Sequence, residues 1–188
     1  MKNSYFCLAL FVLLPLVPAW AAPTDADFGR AIVQARLAVP EDPAVRSALG
    51  IRKSSGQMML SDIDAGVILV EIFSMYCPYC QKHAPMTNKL HQAIESGPAT
   101  RGKVKLIGIG VGNSPFEVKF FRKKYGILFP LFDDGNSAIM NTITGIKTPY
   151  YFGIRKNGGT LQVFFTQQGA FEDPQAFLKT VLDKSRQP

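Results

Sequence analysis

Two stretches of this chain are apolar almost without a break, VILVEIFS at 67–74 and KVKLIGIGVG at 103–112. Neither alternates with period two, so both read as central strands covered on both faces. The other stretches carry punctuation. TDADFGRAIVQARLAVPEDPAVRSALG reads as two short helices: Asp25 or Asp27 caps the first, which stops before Pro40, and Asp42 caps the second, with Pro43 in its first turn and Gly50 past its end. MMLSDIDAG is expected to be a short strand and turn. CPYCQKHAPMTNKLHQAIESG has helical spacing with Pro85 as an internal kink. Ser114-Pro115-Phe116-Glu117 has the form of a capping box, opening a helix that ends at Gly126. Phe129 to Phe132 is expected as a third strand and Asn136 to Thr142 as a short helix. PYYFGIR and TLQVFFT form a hairpin across Asn157-Gly158-Gly159, and the last helix starts at Asp173-Pro174, with Phe177, Val181 and Leu182 on one face. Strands alternating with helices and closed by a hairpin predict an α/β fold, a mixed sheet flanked by helices on both faces. In such a sheet a site lies at the carboxyl edge of the central strands, and Cys77 falls three residues past Ser74, at that edge.

The first residues do not share this pattern. Lys2 precedes an apolar run from about Phe6 to Val17, broken by Pro15, and Ala19-Trp20-Ala21 follows. This is the form of a signal peptide, 1–21, cut after Ala21; a retained membrane anchor is the alternative. Residues 22–48 are then an N-terminal helical extension and 49–188 the main domain. The net charge of +7 over the 188 residues is read as solvated faces with some attraction for anionic partners, and an exported protein argues against nucleic acid. Cys7 lies in the leader, so the exported chain keeps two of the three cysteines, Cys77 and Cys80. One four-residue loop is a poor staple for a domain of this size, which leaves chemistry as the reason for the pair.

Cysteines at i and i+3, the first at a helix start, lie within disulfide reach of each other. The helix N-terminus favours the Cys77 thiolate, and Cys80, one turn in, is placed to resolve a mixed disulfide. Pro78 suits the first turn. A zinc site would need two more ligands, and His83 and His91, expected as solvated helix positions, are eight residues apart and cannot both join the cysteines. No metal and no organic cofactor is expected. Glu71, inside a strand buried on both faces and six residues before Cys77, is expected beneath the dithiol with a raised pKa, passing a proton to or from Cys80.

The dithiol at a strand–helix junction, the acid six residues before it and Pro85 eight residues after Cys77 resemble the thioredoxin-fold thiol–disulfide oxidoreductases, over roughly Leu49 to Leu182. The resemblance implies that Thr148-Pro149 is a cis bond facing the dithiol, that the Thr148 backbone pairs with an extended substrate, and that Tyr76, Pro78 and Tyr79 border the bound segment. The 72 positions from Cys77 to Pro149 are similar to TlpA-type exported reductases, which insert a strand–helix element before the cis-proline. EIFSMYCPYC resembles the DsbA-type oxidases instead, and Tyr76 stands where the family usually has tryptophan. The implied function is an exported, monomeric disulfide reductase acting on protein cysteines and reset by a membrane thiol–disulfide donor or acceptor. A disulfide-donating oxidase is one alternative, and a non-catalytic peptide or copper and cytochrome-assembly chaperone the other.

Overall fold

Residues 25–143 and 145–187 are described by a computed structural model. In chain order the elements are α1 (Asp25–Val33), β1 (Arg36–Ala38), α2 (Pro43–Leu49), β2 (Gln57–Met59), a single 3-10 turn (Leu60–Asp62), β3 (Val67–Phe73), α3 (Pro78–Ser96), β4 (Val104–Gly110), α4 (Pro115–Tyr125), β5 (Leu131–Asp133), α5 (Ala138–Thr142), β6 (Tyr150–Asn157), β7 (Thr160–Gln168) and α6 (Pro174–Ser185). The main sheet has the order β5-β4-β3-β6-β7. β3, β4 and β5 run parallel, whereas β6 and β7 are antiparallel to their neighbours.

The two uninterrupted apolar runs are the two inner parallel strands, and the reason is visible in how β3 divides its side chains. Successive residues of a strand point to opposite faces. Ile68, Val70 and Ile72 join one core with α1, β1 and β2, whereas Leu69 and Phe73 join another with α3, α4 and α6. Glu71 lies between Leu69 and Phe73 in the strand and so belongs to the second face, the one that also holds Cys80.

The residues before β3 are part of the first core. Phe28, Ile32, Leu37, Leu49 and Met58 are all buried there, each contributing about 1.5–3 kcal/mol by removal from water. The segment expected as two helices contains a strand as well. Arg36–Ala38 pairs antiparallel with Gln57–Met59, and three residues are too few for a periodic signal. Asp42 caps α2 by accepting from the Ala44 backbone N–H, and Gly50 closes that helix at φ 67°. A Cβ there would come within 2.4 Å of the Asp64 Cβ, so glycine is required at this turn.

The predicted capping box forms: the Ser114 hydroxyl accepts from the Glu117 N–H while the Glu117 carboxylate accepts from the Ser114 N–H. The third strand starts two residues later than expected and ends one later, at Leu131–Asp133, and α3 continues through Pro85 to Ser96. Among the described residues no helix is long and apolar enough to cross a membrane; the leader expectation for 1–21 lies outside them.

Candidate active site

Cys77 is the N-cap of α3, with extended backbone (φ −81°, ψ 115°) and Pro78 in the first turn. Its thiol is partly exposed while Cys80, one turn on, is buried, and both are free thiols in this structure. The Thr148–Pro149 bond is cis. It brings the Thr148 carbonyl to within 3.2 Å of the Cys77 Sγ, where it accepts from the thiol across 71 residues of chain. The dithiol and the Thr148-Pro149 loop, which the sequence could only relate by resemblance, are therefore neighbours.

The two thiols sit in different electrostatic environments. Burial works against a charged Cys77, but hydrogen bonds from the Thr148 side chain, the Cys80 N–H and thiol and the Tyr79 N–H outweigh it, and its pKa falls below the usual thiol value. Burial pushes Cys80 up to about 12, and the neighbouring Cys77 charge adds to it. One thiol is thus poised to ionise and its partner needs a base.

Glu71 is buried, with 5% of its surface exposed, on the face of the sheet that also holds Cys80. Its Oε1 accepts from the Tyr151 hydroxyl at 3.0 Å and, more weakly, from the Thr87 hydroxyl at 3.4 Å; those hydroxyls are 3.2 Å apart. Burial raises the Glu71 carboxyl to about 7, and the two hydrogen bonds hold it back from rising further. Opposite it on β4 is Gly108, and Tyr151 on β6 is its partner on the other side. Glu71 therefore points into the core and not to water.

Several site residues had no signal in the sequence. Tyr151 and Thr87 come to Glu71 from 80 and 16 positions away. Asn113 is wholly buried, and its Oδ1 accepts from the Met75 N–H at 2.8 Å, tying down the loop before Cys77. Tyr76 donates its hydroxyl to Glu117, so the capping carboxylate of α4 also holds the residue before the nucleophile position. Tyr76 and Tyr79 are exposed on either side of Cys77, as is Pro78. Beside Thr148 a recess of about 250 Å³ is lined by Ile72, Val111, Met140, Ile143 and Ile146.

The histidines correct the sequence reading. His83 is buried rather than solvated: its Nε2 accepts from the Phe171 N–H at 3.4 Å and its ring meets Phe171 edge-on at 4.4 Å. His91 is partly buried, 6.0 Å from the Phe129 ring, and its Nδ1 has no hydrogen-bond partner. α3 is covered by the sheet and by α6, which leaves fewer solvent positions than an isolated helix would have; burial lowers both imidazole pKa values. Among the described residues no group of three or more His, Cys, Asp or Glu side chains comes together in a form that can hold a metal ion.

A five-stranded mixed sheet with a thiol pair at the first turn of α3 and a cis-proline facing it defines a protein of the thioredoxin-like fold. The profile of the AhpC/TSA family matches residues 41–167, and the chain belongs to that family. The chain is similar to the thiol-disulfide oxidoreductase ResA of Geobacillus kaustophilus, 24% identical over 104 residues that make up 55% of this chain and 57% of that one. It therefore spans somewhat more than half the length of that relative. Among solved structures it is similar to StoA from Bacillus subtilis, with a TM-score of 0.52 and 20% identity over 68% of this chain and 90% of that one. A secreted Mycobacterium tuberculosis disulfide oxidoreductase homologous to E. coli DsbE gives a TM-score of 0.53 and 15% identity, covering 69% of this chain and 90% of that one. These neighbours bear out the expected fold, and the relatives agree with the TlpA-like resemblance.

Proposed function

We propose that this protein is an exported thiol–disulfide oxidoreductase that passes two electrons from the Cys77–Cys80 dithiol to disulfides of partner proteins. The observation that carries this reading is the asymmetry of the pair: a Cys77 thiol with lowered pKa at the mouth of α3, a Cys80 thiol pushed up to about 12 behind it, and a carboxyl near 7 on the same face of the sheet.

The chemistry follows from that arrangement. The Cys77 thiolate attacks one sulfur of a substrate disulfide; a bond forms between them, and the substrate's other sulfur leaves as a thiolate and takes a proton. Glu71 then accepts the Cys80 proton. The Cys80 thiolate attacks Cys77 Sγ and expels the second substrate thiolate, leaving a Cys77–Cys80 disulfide. The substrate is reduced by two electrons and the dithiol oxidised by two. A membrane thiol–disulfide donor then restores the dithiol. No organic cofactor or metal takes part.

Substrate backbone pairs at Thr148, whose partly exposed position next to Cys77 leaves room for an extended segment, with Pro149, Pro78, Tyr79 and Tyr76 around it. Export is supported by the leader pattern of residues 1–21 and by the secreted structural neighbour. The protein acts as a monomer. The deciding experiment equilibrates the protein in redox buffers and measures the potential of the pair. A value near roughly −270 mV makes it a reductant, and one near roughly −120 mV makes it a disulfide donor instead. No measurable exchange at any potential would defeat the oxidoreductase reading.

A further inference from the structure

Six large hydrophobic side chains are exposed among the described residues, and four of them belong to α4 or its surroundings: Tyr76, Phe116, Phe120 and Leu128. Phe116 and Phe120 are one helical turn apart and share a face; they are 76% and 46% exposed. Lys124, a further turn on, holds its Nζ 5.7 Å from the centre of the Phe120 ring. At the other end the Tyr76 hydroxyl is bonded to Glu117, next to Phe116. A row of exposed groups thus leads from the residue before Cys77, joined to α4 through Glu117, to Phe116, Phe120 and Lys124 on that helix.

The charge along this stripe is predominantly positive: the ionised Glu117 carboxylate is outnumbered by Lys119, Lys123 and Lys124. Glu117 is engaged by Ser114 and Tyr76, and Arg122 by the Phe129 carbonyl. Lys119 and Lys123 are exposed beside the two rings. Contiguous exposed aromatic surface rimmed by charge has the anatomy of a docking face, not of an ordinary solvated helix. Its start at Tyr76 means that whatever lies along it passes directly by Cys77.

We propose that the exposed face of α4 docks the partner protein, and that the docked segment is acidic, with apolar side chains next to its reactive cysteine. This rests on the thiol–disulfide reading and adds to it the class of partner. The aromatic rings take the apolar side chains, and Lys119, Lys123 and Lys124 pair with the flanking carboxylates. A lipid surface is the less favoured occupant, because α4 is an 11-residue helix with two exposed rings and the stripe leads to a thiol.

The test uses the full chain and two synthetic peptide disulfides with the same Leu-Cys-Phe core, one flanked by Asp and Glu and the other by Lys. Dipyridyl disulfide, too small and uncharged to use the stripe, serves as the control. Phe116→Ser with Phe120→Ser is expected to lower kcat/KM for the acidic peptide about tenfold while leaving the small disulfide unchanged. Lys119→Glu with Lys123→Glu should reverse the preference between the two peptides, and salt should weaken the parent's preference. Equal kcat/KM for both peptides with the parent protein, or an unaltered acidic-peptide rate in the double serine variant, overturns the proposal. So does sedimentation with phosphatidylglycerol vesicles that the serine variant loses while its peptide rates stay unchanged, an outcome that assigns the face to lipid. An S-methylated acidic peptide, unable to exchange, reads docking without chemistry. Its binding, lost in the serine variant, supports the docking face even if dipyridyl disulfide is not reduced, the result that would sink the oxidoreductase reading alone.

Discussion

Glu71 makes the stability of this fold depend on pH in a way that can be isolated by a single substitution. Its carboxyl is raised from 4.5 to about 7, first by burial. In the unfolded chain it titrates near the ordinary value, so between about pH 4.5 and 7 the folded protein holds a proton that the unfolded one has lost. Stability therefore falls as pH rises through that window. At 1.36 kcal/mol per pH unit the full loss is on the order of 3 kcal/mol. Glu71→Gln keeps the size of the side chain and removes the titration. Urea unfolding of the reduced parent and variant at pH 4 and pH 8.5 should show the variant gaining on the parent by roughly 2–3 kcal/mol at the higher pH. Any fixed cost of fitting an amide against Tyr151 and Thr87 is common to both conditions and cancels. A difference that is the same at both pH values would mean that Glu71 is not held in a low-dielectric site, and the proton-transfer role would lose its basis.

Kinetic consequences accompany this. Glu71→Gln should also slow resolution of the mixed disulfide, seen by quench and mass spectrometry, because the Cys80 proton has lost its acceptor; an unchanged rate would dismiss that role. Cys77→Ser should abolish exchange outright, whereas Cys80→Ser should accumulate a stable Cys77 adduct with substrate, which a mass shift in non-reducing conditions detects. Tyr151→Phe keeps the ring against Phe171 and Phe177 but deletes the donor to Glu71. That bond favours the ionised carboxyl, so its loss should move the pH midpoint of resolution above about 7, by roughly one pH unit; a drop in Tm with no change in the midpoint would leave Tyr151 a packing role only.

What was legible in the sequence was local. The apolar run at Val67–Phe73, the helix start at Cys77-Pro78 and the Ser114/Glu117 box are each specified by residues within a few positions of one another. Glu71 was readable for the opposite reason, as the one residue that does not suit its strand. Its partners were not, because nothing in the neighbourhood of Tyr151 or Thr87 says which carboxylate they meet. The cis bond at Thr148-Pro149 came by resemblance, since the physics of an X-Pro pair favours trans. His83 and His91 were misjudged because helical spacing describes one helix, and what packs on them comes from distant segments, Tyr151 and Phe171 on His83 and Phe129 on His91.

The bonds that complete the site are long in sequence: 71 positions from Cys77 to Thr148 and 80 from Glu71 to Tyr151. β3 meets its parallel partner β4 soon after it is made, but its other edge stays open until β6 arrives. During synthesis the cysteine pair is therefore present well before the Thr148-Pro149 loop that faces it. A nascent chain ending short of Tyr150 carries two thiols and an unpaired apolar edge, without Thr148 held in place or a tyrosine on Glu71. Selective reactivity arrives with about the last fifth of the polypeptide, so the growing chain has its sulfur chemistry before it has the means to direct it.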